Sequence, residues 1–77
     1  MKYADKVIGL LAPYPGRKFV MREIVRYINP QPGISERAAI KKAVQRVLVS
    51  LVVMDRIYRT PARVLGGTAS YEWKTGT

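Results

Sequence analysis

Apolar side chains recur at helical spacing through the first two thirds of the chain and at strand spacing near its end. In residues 2–12, Ala4, Val7, Ile8 and Leu11 share one side, with Lys2, Asp5 and Lys6 mostly off it, which predicts a first helix. Pro13-Tyr14-Pro15-Gly16 predicts a turn. Residues 17–20 are too few for more than a single extended bridge, with Phe19, the only phenylalanine, in the core. Residues 21–28 predict a second helix. Met21, Ile24, Val25 and Ile28 make its apolar stripe, and Glu23 and Arg26 lie outside at a favourable i, i+3 spacing. No good capping residue precedes it. Asn29-Pro30-Gln31-Pro32-Gly33 then forbids helix.

The organising stretch is 35–54, SERAAIKKAVQRVLVSLVVM. Ile40, Ala43, Val44, Val47, Leu48 and Leu51 fall on one face; Arg37, Lys41, Lys42, Gln45 and Arg46 fall largely off it. Ser35 suits the N-cap, because its hydroxyl can accept from an unpaired amide of the first turn. The second half is apolar nearly all round. Its β-branched run makes a strand over 47–54 the alternative, but the spacing Ile40, Val44, Val47, Leu51 continues unbroken and favours helix. Val49 and Val53 then lie opposite the core face and call for a cover, either the first helix or a second subunit.

Asp55 marks the helix end, since Asp tolerates turn conformations. Residues 56–60 predict a strand, 61–69 a hairpin tip containing Gly66-Gly67, and 70–74 the returning strand. Tyr71 and Trp73 share one face of that strand, and Ser70 and Glu72 the other. No internal repeat or linker interrupts the 77 residues, so 1–77 is expected to be a single domain.

Composition narrows the chemistry. Fourteen basic and five acidic residues give a net charge of +9, which favours a polyanionic partner: DNA, RNA or an anionic membrane surface. With no cysteine and no histidine, the chain lacks disulfides, thiolate metal sites and the usual zinc ligand and general base. The acids Asp5, Glu23, Glu36, Asp55 and Glu72 are spread one per element, without paired-carboxylate or metal spacing. Ser35, Ser50 and Ser70 have no histidine to activate them. No enzyme activity, metal, cofactor or small-molecule substrate is expected. Nor is a targeting or membrane-spanning segment, which predicts a soluble protein in the cytoplasm or on the nucleoid.

The order helix, short strand, helix, turn, helix, strand, Gly-containing tip, strand resembles the winged helix-turn-helix family over nearly the whole chain. The resemblance rests on that order, on the apolar patterns of 21–28 and 40–51, and on the hairpin RIYRTPARVLGGTASYEW with Tyr71 and Trp73 returning to the core. The connector 29–34 is longer and richer in proline than the family's tight turn, and the apolar second half of the third helix is unusual. The resemblance implies an α+β winged helix of three helices, a short strand and a C-terminal β-hairpin wing. It implies a sequence-specific transcriptional regulator whose third helix enters the major groove of double-stranded DNA while the wing touches the adjacent minor groove or backbone. Carried onto this sequence, the groove-facing positions are Glu36, Arg37, Ala38, Lys41, Lys42 and Gln45. The wing positions are Arg63 and residues near Gly66-Gly67.

Lys41, Lys42 and Arg46 can neutralise phosphates. Arg37 or Gln45 could read bases, since arginine pairs bidentately with guanine and glutamine with adenine. Arg63 could run along a minor groove, and Arg22 and Arg26, with Arg17 and Lys18, could clamp the backbone. Each has a plainer alternative as solvated surface charge. Tyr71 and Trp73 are expected to pack rather than stack on bases. One of Arg56 and Arg59 could pair across the hairpin with Glu72. A homodimer through Val49 and Val53, an RNA-binding or ribosome-associated role, a protein-interaction module, and a DNA-architectural or recombination-accessory factor that a bending assay would distinguish from a simple repressor remain as further expectations.

Overall fold

A computed structural model describes residues 2–31 and 33–75, with Ile34 described by its backbone alone. The architecture is α+β, with three helices and a small three-stranded antiparallel sheet, an arrangement compatible with a winged helix. The elements are α1 (Ala4–Leu11), β1 (Phe19–Val20), α2 (Met21–Ile28), α3 (Ile34–Val53), β2 (Ile57–Thr60) and β3 (Ser70–Trp73). The order in the sheet is β1-β3-β2, so the last strand is central. It pairs Phe19 with Tyr71 on one side, and Ile57 with Trp73 and Arg59 with Tyr71 on the other.

The buried side chains are those that the helical and strand periods select. Val7 and Leu11 of α1, Ile24 and Val25 of α2, and Ile40, Val44, Val47, Leu48 and Leu51 of α3 meet Phe19, Ile57 and Tyr71 in one core. Trp73 packs against it half-buried. The valine-rich second half of α3 stays helical because Val47, Leu48 and Leu51 bury on the side that Ile40 and Val44 began. A strand there would turn alternate residues away from that core.

The helix ends show how local chemistry sets the frame. α1 stops where Pro13 supplies no N–H; the last bond of its ladder is donated by Ala12 N–H to the Ile8 carbonyl at 2.9 Å. α2 lacks a capping hydroxyl, and valine has no side-chain acceptor. Instead the Val20 N–H donates to Glu23 Oε1 at 3.0 Å, half of a capping box. Glu23 is thus turned back to the helix start, and the expected Glu23–Arg26 pair does not form. Ser35 is not the N-cap of α3. Gly33 holds that position in extended backbone, its carbonyl accepting from the Arg37 N–H at 2.9 Å, and Ser35 already lies in the first turn.

At the other end, Asp55 N–H donates to the Val52 carbonyl at 3.0 Å and Arg56 N–H to the Leu51 carbonyl at 2.9 Å. These two bonds make a Schellman motif whose left-handed residue, usually glycine, is Asp55 at φ 64°. The Asp55 carboxylate accepts from Lys74 Nζ, so helix end and strand β3 are tied together, and Lys74 also sits 4.6 Å from the Tyr58 ring centre. Glu72 faces Tyr58 across the hairpin, not Arg56 or Arg59 as expected, because Arg59 is in register with Tyr71. Among the described residues, no helix is long and apolar enough to cross a membrane.

Candidate nucleic-acid interface

Four of the cations singled out in the sequence line one groove. Arg22 and Arg26 come from α2, Arg37 and Lys41 from α3. Each pair is four residues apart, which places its members on one side of their helix with a rise of about 6 Å. The groove encloses about 450 Å³. Its floor is apolar (Met21, Val25 and Pro30), and Asn29 and Thr68 complete the lining. Among the described residues, no Asp or Glu lines it and none of the four cations has a carboxylate partner. Like charges at i, i+4 repel by a few tenths of a kcal/mol, so the fold holds two such rows against their own field. An anion between them would relieve both.

Asn29 and Pro30, at the start of the connector, line this groove. Asn29 Oδ1 accepts from the Gln31 N–H at 3.2 Å, a local turn that begins the connector. Asn29 Nδ2 donates to Glu36 Oε2 at 3.4 Å. The end of α2 is thereby linked to the first turn of α3, where the Glu36 carboxylate also meets the positive end of the helix. Glu36 therefore answers Asn29 and does not stand among the groove cations.

The other predicted positions are exposed but lie elsewhere. Lys42 and Arg46 point away from the core side of α3, continuing the basic surface outward from the groove. Gln45 lines a second, smaller hollow of about 130 Å³ with Val49, Val52, Val53, Arg59 and Tyr71. Val49 and Val53 are 52% and 79% exposed, so the first helix does not cover them. Arg63 immediately precedes the hairpin turn and is exposed. Arg17 stacks 4.9 Å from the Phe19 ring centre and 5.7 Å from that of Tyr14, which engages it with aromatic faces.

Sequence reasoning treated the α2 cations and the α3 cations as separate sets, since their convergence depends on helix packing. It also missed Asn29 and Thr68, residues without a recognisable spacing. Comparison with models of protein families, with curated proteins and with solved structures finds no match to this chain.

Proposed function

We propose that the chain is a winged-helix protein that binds double-stranded DNA and acts as a transcriptional regulator, without catalytic activity. The observation that carries the reading is the α2–α3 groove, where four cations converge with no lining carboxylate. A duplex offers regularly spaced phosphates to rows of this kind, and neutralising them releases counterions. Lys42 and Arg46 add positive charge on the outer face of α3, around the helix from the groove. The first half of the helix then lies in the major groove, where Arg37 and Gln45 have base edges within reach. The hairpin, with Arg63, meets the neighbouring backbone or minor groove.

A specific observation supports a second copy in the complex. Lys42, Arg46, Val49 and Val53 fall within about 60° around the helix axis, so DNA and any apolar partner must share α3 lengthwise. The helix is about 30 Å long, and a major groove about 12 Å wide takes up roughly its first half. The second half, with Val49 and Val53 beside the smaller hollow, is left to a homodimer contact.

Competition binding tests the main reading. Labelled duplex DNA is titrated with the protein, then challenged with unlabelled duplex or structured RNA of equal charge. Displacement by duplex at a lower concentration than by RNA is the expected result. Preferential displacement by RNA would move the function to an RNA-binding or ribosome-associated role.

A further inference from the structure

The turn at residues 64–67 presents apolar side chains to water. The Gly67 N–H donates to the Val64 carbonyl at 3.1 Å, closing the turn, and Gly66 sits at φ 81°, the value that the third residue of a type II turn requires. A Cβ at Gly67 would come within 3.1 Å of the Val64 carbonyl oxygen and 3.2 Å of Ala62 Cβ. The turn therefore demands glycine at 66, and a side chain at 67 would be tight. What the turn holds up is Leu65, 104% exposed, and Val64, 70% exposed. Hairpin tips more often carry polar turn residues such as Asn-Gly. Within 61–69 only Ala69 packs against the core, so neither apolar side chain serves the fold.

We propose that this tip is a wedge for the minor groove of duplex DNA: Leu65, backed by Val64, enters between two base pairs and kinks the duplex. The inference rests on the DNA-binding reading above. Charge names the occupant. Arg63 stands at the neck of the turn, and Thr68, on the same arm, lines the cationic groove with Arg22, Arg26, Arg37 and Lys41. A polyanion held by that groove therefore lies next to the arm that carries the tip. Leucine and its apolar neighbours are the side chains that unstack base steps from the minor groove, and a flanking arginine favours that groove's negative potential. Pyrimidine–purine steps, which unstack most easily, are the preferred point of entry.

The test uses the full chain and a duplex of about 30 base pairs with a central TA step and a dye at each end. Anisotropy reports binding and energy transfer reports the end-to-end distance. The wild type is expected to bend the duplex by roughly 20–90° and to bind it about fivefold more tightly than one with a central A-tract. With Leu65→Ser and Val64→Ser together, the bend and the TA preference disappear and affinity falls about tenfold. The melting curve of this variant should match that of the wild type, since neither side chain touches the core. A bound but straight duplex, or a bend that survives both substitutions, would overturn the wedge while leaving DNA binding intact. Absence of any anisotropy change with the wild type would overturn the DNA-binding reading itself.

Discussion

The groove between α2 and α3 and the hollow between α3 and the sheet share one helix, yet they offer opposite chemistry. The groove sets four cations beside Met21, Val25 and Pro30. The hollow sets three valines and Tyr71 beside one glutamine and one arginine. The difference follows from how α3 is written. Its buried side is apolar from Ile40 to Leu51, but the flank beside that side changes from Arg37 and Lys41, which line the groove, to Val49 and Val52, which line the hollow. One packing solution thus carries two surfaces, one charged and one apolar; binding at the first would weaken with salt, and binding at the second largely would not. A helix can divide its outer face lengthwise without disturbing the core that anchors it.

The largest effect belongs to what both surfaces share. Leu48 is fully buried, and Leu48→Ala is expected to destabilise the domain by about 3 kcal/mol. Urea denaturation would show it, and the proposed DNA binding and self-association would weaken together. A loss under about 1 kcal/mol would mean that α3 is not the common anchor.

Separate substitutions pull the two surfaces apart. Arg22→Ala with Arg26→Ala should weaken duplex binding about 30-fold at 0.1 M salt and leave sedimentation behaviour unchanged. Val53→Asp should do the reverse, abolishing self-association while a short duplex with a single site is bound within about twofold of wild type. Equal effects of both changes on DNA binding would dissolve the distinction.

Smaller effects test the frame. Asp55→Ala places an alanine in left-handed backbone and removes the carboxylate that accepts from Lys74, at a cost of about 1 kcal/mol. Asp55→Gly should be close to neutral, because the backbone relief offsets the loss of a largely exposed ion pair. If both cost the same, the ion pair and not the backbone holds this corner. Glu23→Gln keeps an acceptor for the Val20 N–H and loses only charge, so it should lower stability in urea denaturation by no more than about 0.5 kcal/mol. Glu23→Ala should cost about twice that.

Much of the fold is legible in the sequence because the core-facing positions keep a strict period. Val7, Leu11, Ile24, Val25, Ile40, Val44, Val47, Leu48 and Leu51 are all picked out by spacing and are buried, while Ala4, Ile8, Met21, Ile28 and Ala43, picked out by the same spacing, are partly buried. Asp55 announced the helix end through its tolerance of positive φ. Helix starts were less readable. Ser35 offered the better capping side chain, but Gly33 already has the extended backbone and the carbonyl that begin the ladder. Glu23 had two local partners open to it, Arg26 and the Val20 amide, and spacing alone could not choose between them.

The site was half visible. Each cation could be assigned to an exposed face from its own helix. That Arg22 and Arg26 line the same groove as Arg37 and Lys41 depends on how α2 packs against α3, which spacing along either helix does not reveal. Likewise the register that puts Tyr58, not an arginine, opposite Glu72 depends on how many residues the tip consumes. The apolar pair at the tip stood in plain view as VLGG, but its full exposure emerged only once the hairpin was built.

The central claim is that duplex DNA lies on the cationic groove. Its most direct test is the salt dependence of duplex binding, measured by fluorescence anisotropy for the wild type and for Arg37→Ala with Lys41→Ala. Each phosphate contact steepens the slope of log K against log salt by about 0.9. The account predicts a steep wild-type slope that becomes shallower by about 2 when both groove cations are removed. An unchanged slope would contradict it and place the DNA elsewhere on the molecule.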